Sequence, residues 1–103
     1  MRVSLSDGRW FNTDAAESYH EEEDWNGSNH ISRATGSQWE HERLYRTAGD
    51  TWVLHHWSQY QGSGESYEVV DNEEAARWLS RNDFDLTNFS EEGLLPYAEK
   101  LRI

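Results

Sequence analysis

The stretch Trp39-Glu40-His41-Glu42-Arg43-Leu44-Tyr45-Arg46-Thr47-Ala48-Gly49-Asp50-Thr51-Trp52-Val53-Leu54-His55-His56-Trp57-Ser58-Gln59-Tyr60-Gln61 reads as two β-strands around a turn. Ala48-Gly49-Asp50 supplies the turn residues, and the flanks are rich in the aromatic and β-branched side chains that suit strands. Successive strand residues point to opposite faces. Trp52 and Leu54 therefore share one face, and Val53 and Trp57 share the other. Apolar groups on both faces predict that both are at least partly covered. A symmetric turn sets Thr47 opposite Thr51. Counting outward, Glu42 then faces His56 and Arg43 faces His55.

Toward the C-terminus, Gly62-Ser63-Gly64 is a second turn signal and Ser66 to Val70 a third strand. Asp71 and Glu74 have capping-box spacing. The helix they predict, Glu73 to Arg81, carries Ala75, Trp78 and Leu79 on one stripe and ends at Asn82-Asp83. Asn88 or Ser90 is the expected cap of a last segment holding Leu94, Leu95, Tyr97 and Leu101. Gly93 and Pro96 weaken that segment near its start. Toward the N-terminus, Arg2 to Leu5 alternates as a strand, Ser6-Asp7-Gly8 turns, and Trp10 and Phe11 return to the core. Asp14 and Glu17 have cap spacing, which predicts a helix from Asp14 to Glu22 with Ala15, Ala16 and Tyr19 inward. Asn26 to Ser37 is the longest expected loop. Contiguous hairpins, rather than alternating strands and helices, give an α+β fold: an antiparallel β-meander of three to five strands packed with two or three short helices, in one domain over residues 1–103.

The chain has 103 residues, with 20 Asp and Glu against 9 Lys and Arg, for a net charge of -11. Lys100 is the only lysine. This field opposes direct binding of DNA or RNA phosphates and favours a basic protein partner. Six tryptophans argue against a disordered acidic tail. The absence of cysteine removes disulfide and thiol chemistry. The start of the chain lacks the apolar run of a signal peptide, and no window approaches the roughly 18 apolar residues of a membrane span. The expected location is cytoplasmic.

Catalytic patterns are sparse, and the expectation is a non-enzyme without cofactor or metal. No serine sits in a Gly-x-Ser-x-Gly elbow, and no phosphate loop or zinc signature is present. His55 and His56 are adjacent on a strand and point apart. A Glu42–His56 dyad is the acid–base pairing that the register offers, and ordinary cross-strand pairing is the better reading of it. In Glu40-His41-Glu42 the two carboxylates share a face and His41 opposes them, an arrangement for a hard cation or for a solvated edge.

The acids themselves are more informative. Glu21, Glu22, Glu23 and Asp24 form one block, followed by Trp25. Glu65, Glu68, Asp71, Glu73 and Glu74 form a second, and Asp83, Asp85, Glu91 and Glu92 a third. Acids near helix N-termini complement the helix dipole, which accounts for some of them but not for Glu21 to Asp24. Carboxylates spread over a scaffold imitate a row of phosphates and suit a groove built for nucleic acid. Trp25 and Trp39 flank the long loop as exposed candidate anchors, whereas Trp52, Trp57 and Trp78 read as core. The expected binding residues are Glu21, Glu22, Glu23, Asp24, Trp25, Glu65, Glu68, Asp71, Glu73 and Glu74.

The segments Gly36 to Thr47 and Trp52 to Ser63, with Glu73-Glu74-Ala75-Ala76-Arg77-Trp78-Leu79, resemble small proteins of bacteria and their mobile elements. That likeness covers residues 36 to 82 and implies no activity. In size, charge and lack of an active site the chain also resembles the small acidic phage inhibitors, among them anti-CRISPR proteins and other DNA mimics. This second likeness carries no residues. It implies an inhibitor whose partner is a nucleic-acid-binding effector. The alternatives are an antitoxin-like or accessory partner-binding protein, and a metal-dependent enzyme using Glu42 and His56 or a metal near His41.

Overall fold

The computed structural model describes residues 1–59 and 64–103. Its centre is the hairpin expected from the sequence. Strand β6 (Glu40–Arg46) pairs antiparallel with β7 (Trp52–Ser58), and Glu42 faces His56 while Arg43 faces His55. The turn closes as its composition demands. The Thr47 amide donates to the Thr51 carbonyl at 2.9 Å, and Asp50 adopts a φ of 62°, a left-handed conformation that Asp tolerates. Strand β8 (Ser66–Val70) adds to β7, and β3 (Glu17–His20) adds to the far side of β6. The four-stranded sheet thus runs β3-β6-β7-β8, antiparallel throughout. Of the expected strand end and second turn, residues 60–63 lie outside the described residues.

Alternation gives this sheet two apolar faces, and each is covered. On one, Leu44, Trp52 and Val70 pack against Ala75, Ala76, Trp78 and Leu79 of helix α1 (Asn72–Arg81), with Leu86, Phe89 and Leu94 from the C-terminal segment. On the other, Tyr45 and Val53 meet Val3 and Phe11 from a separate hairpin, β1 (Arg2–Ser4) with β2 (Trp10–Asn12). Trp10 itself is 56% exposed, with Arg2 stacked on it at 4.5 Å, so only Phe11 of that pair returns to the core. Helix α1 starts as expected: Asp71 accepts a hydrogen bond from the Glu74 amide at 2.8 Å.

Three expected elements differ. No helix spans Asp14 to Glu22. Asn12 caps a single 3-10 turn at Thr13–Ala15, and the chain then extends into β3. Pairing with β6 outweighs the local cap signal, and it sets the Tyr19 ring against Trp52, Phe84 and Phe89 at centroid distances of 5.5–6.0 Å. The expected Asn26–Ser37 loop contains a strand. β4 (Glu23–Trp25) pairs with β5 (His30–Ser32) around a turn in which Asn26 Oδ1 accepts from the Ser28 and Asn29 amides at 2.9 and 2.8 Å, and Gly27 takes a φ of 99°. Asn-Gly is a hairpin signal, and here it dominates the acidic composition. Finally, neither Asn88 nor Ser90 caps the last helix. Asp85 caps a 3-10 turn at Leu86–Phe89, and α2 (Leu95–Lys100) begins only after Gly93 turns the chain at a φ of 79°, with Pro96 in its first turn. Proline is tolerated there because a first-turn amide has no helical acceptor. Among the described residues no helix is long and apolar enough to cross a membrane.

Candidate functional site

The expected binding residues fall at two edges of the sheet, three strand spacings or roughly 14 Å apart. Glu21 to Trp25 lie where β3 runs into the β4–β5 hairpin. Glu65 lies just before β8, Glu68 on it, and Asp71, Glu73 and Glu74 at the cap and first turn of α1.

At the β3 edge, Glu21 is not a free surface acid. Its side chain is 10% exposed; one carboxylate oxygen accepts from the Ser32 hydroxyl and the Glu42 amide, and the other lies 2.5 Å from His41 Nδ1. Next to it, the Glu22 amide donates to Asn82 Oδ1 at 2.9 Å, and the Glu22 carbonyl accepts from the Arg33 amide at 2.9 Å. Asn82 is buried at the C-terminal end of α1, so these bonds root the hairpin in the helix layer. Beyond the root, every residue from Glu22 to His30 is exposed. Trp25 is 61% exposed, with the His30 ring beside it at 5.1 Å. Asp24 pairs with Arg33 at 2.8 and 2.9 Å, and that guanidinium holds its carboxyl below the usual aspartate range. Glu22 and Asp83 also act on Arg33, so one cation faces three carboxylates here.

At the β8 edge the second block is mostly engaged. Glu65 bonds His55 Nε2 at 2.8 Å, Asp71 caps α1, and Glu73 holds Lys100 at 2.6 Å, which with Arg77 keeps its carboxyl below the ordinary range. Glu74 lines a groove with Arg77, Arg81 and Trp78, and Glu68 is exposed on the edge strand.

A third cluster escapes the sequence reading. Beyond the β1–β2 hairpin, the outer face of the sheet carries a band of rings: His41, Trp57, His55 and Tyr67, with successive centroids 5.7, 4.7 and 4.1 Å apart. Trp57 is thus a half-exposed surface residue rather than core, with Arg43 5.7 Å above it. Burial, with Glu65 nearby, pushes the Tyr67 hydroxyl above its usual range. Two depressions flank the band, one of about 570 Å³ at Arg43, His55 and Glu65, the other of about 280 Å³ at His20, Glu21, Glu23 and His41. His41 Nε2, Arg43 Nε and His55 Nδ1 are buried without hydrogen-bond partners among the described residues. The alternation of β6 and β7 puts these residues on one face, which is the signal that finds them; the reach of Glu21 to His41 has no such signal.

The sequence-derived dyad is weaker. Glu42 stands 3.5 Å from His56 Nδ1, beyond a good hydrogen bond, and its other oxygen accepts from Trp78 Nε1 at 3.1 Å. A cleft of about 670 Å³ between the β1–β2 hairpin and the β6–β7 turn is lined by Trp10, Phe11, Val53 and Val69, and Arg9 is its one charged wall residue among those described. No family model, curated protein or solved structure matches the chain.

Proposed function

We propose that this protein is a binding inhibitor whose acidic β4–β5 hairpin, led by Trp25, docks on the basic nucleic-acid-binding surface of a partner protein. The observation that carries the reading is the run Glu22 to His30, exposed throughout and rooted through Asn82 in the helix layer. An exposed Trp held on a tethered hairpin is suited to be an interface anchor, because little freedom is lost when it is buried. Glu22, Asp24 and Asp83 outnumber Arg33 beside it, and the chain carries -11 overall. Such a surface complements a basic groove and speeds encounter with it.

The experiment is affinity capture from bacterial lysate at low and high salt. Displacement of a labelled oligonucleotide from the captured protein follows. Trp25→Ala is expected to weaken binding by about 30-fold, the effect of losing an anchor worth roughly 2 kcal/mol. Reversing Glu22 and Asp24 to Lys is expected to slow association and flatten the salt dependence. Oligonucleotide that stays bound while the complex forms would count against inhibition by mimicry. The alternative, a dedicated partner held through apolar surface, is favoured by the 670 Å³ cleft and exposed Trp10. Under that reading Trp10→Ala, not Trp25→Ala, abolishes capture, and salt has little effect.

A further inference from the structure

One carboxylate–imidazole group at the root of the β4–β5 hairpin shares Glu23 with the docking surface but has a chemistry of its own. Glu21, Glu23 and His41 bring one ligand atom each to within 4.8 Å of the others. They come from three places in the chain: the end of β3, the start of β4 and the second residue of β6. We propose that Glu21, Glu23 and His41 bind a divalent first-row transition ion of the zinc class.

The donor set decides the class of ion. One imidazole nitrogen and two carboxylate oxygens suit zinc and its neighbours, whereas magnesium and calcium take oxygen ligands. Glu21 is already oriented: the Ser32 hydroxyl and the Glu42 amide hold one oxygen, leaving the other aimed at His41 Nδ1 at 2.5 Å. Carboxylates in metal sites are held in this way by outer hydrogen bonds. Glu21 and His41 are only 10% and 12% exposed, which limits competition from water, while exposed Glu23 and the depression shared with His20 give the ion a way in. Two carboxylates and a neutral imidazole carry two negative charges, which a divalent ion cancels. Nδ1 binds the ion through its lone pair, so the ring in the bound site is the neutral tautomer that keeps its one proton on Nε2. Three protein ligands leave further positions for water or for a donor from a bound molecule. The tripeptide Glu40-His41-Glu42 supplies only its histidine, because β6 sends Glu40 and Glu42 to the opposite face, near His56.

The test uses the full chain after chelator treatment, dialysed against Zn²⁺ and, separately, Co²⁺ with excess Mg²⁺. One ion per chain is expected, with a visible Co²⁺ absorption that Mg²⁺ does not remove. Glu23→Gln changes an exposed side chain and leaves the fold intact; it is expected to weaken Zn²⁺ binding by about tenfold or more. His41→Gln is expected to abolish binding, with circular dichroism reporting its fold, while His55→Gln and His56→Gln bind as the parent does. Absence of stoichiometric Zn²⁺, unchanged binding in Glu23→Gln, loss in His56→Gln instead, or displacement of Co²⁺ by Mg²⁺ would each overturn the site. If His41→Gln unfolds, Glu23→Gln alone decides. None of these readouts depends on the hairpin's partner.

Discussion

Tyr19 joins the N-terminal half of the chain to the helix layer, and its hydroxyl reports on that junction. Burial first, then the hydrogen bond to Glu17 at 2.7 Å, pushes its pKa above the ordinary value of 10. Tyr67 is raised too, by burial and then by Glu65. In both cases the folded state favours the neutral phenol. Above the ordinary value the unfolded chain loses these protons while the folded chain keeps them, so stability falls as pH rises. Denaturant midpoints measured from about pH 9 to pH 11 should therefore decline, and Tyr19→Phe with Tyr67→Phe should remove part of the slope. A profile in the double variant as steep as the parent's would refute this assignment. The sequence places Tyr19 inward on a helix, and the fold places it inward on a strand. A single inward ring between polar neighbours fits a period of 2 as well as one of 3.6, and only the distant partner β6 distinguishes them. The Glu21–His41 contact was hidden for a related reason, since it joins residues 20 apart that no shared element connects.

Elements with both a stop signal and a periodic face are legible in the sequence, and elements with only one are not. The β6–β7 hairpin has alternation on both arms and a Gly-Asp turn, so even its register can be counted from the turn. Helix α1 has a cap, a stripe and a terminator. Asp71→Ala should cost about 1 kcal/mol of stability by freeing the Glu74 amide, measurable as a shift in the urea midpoint with unchanged slope. No loss would mean that water replaces the cap. The β4–β5 hairpin has the turn signal but no face: Glu23 to Trp25 are all exposed, so no apolar alternation marks them as a strand. The C-terminal segment has the converse fault. Its apolar residues are clear, but the true start follows Leu94 without a side-chain cap, and nothing at Asn88 or Ser90 reveals that.

At the scale of the whole molecule, the sheet is a central layer with helices on one side and a small hairpin on the other, and Asn82 ties the remaining hairpin to the helix side. Its Oδ1 accepts from the Glu22 amide and its Nδ2 donates to the Trp78 carbonyl at 2.8 Å. Asn82→Ala leaves the Glu22 amide without its partner, while the Trp78 carbonyl keeps the backbone amide of residue 82 at 3.1 Å, and should cost about 1–3 kcal/mol. It should also speed hydrogen exchange at Glu22 and Arg33 more than at the β6 and β7 amides. Uniform acceleration across the sheet would show instead that the hairpin and sheet open together. The charge distribution was legible as a total but not as a map, because strand order separates the two acidic blocks and internal pairing consumes much of the second. The exposed run from Glu22 to His30 has an evolutionary consequence. Apart from Glu23 in the proposed metal site and Asn26 and Gly27 in the turn, its side chains carry almost none of the packing that keeps the molecule folded, so substitutions there are filtered by the partner and not by stability. A lineage under pressure from a changing target is free to rewrite those remaining positions while the scaffold beneath them stays the same.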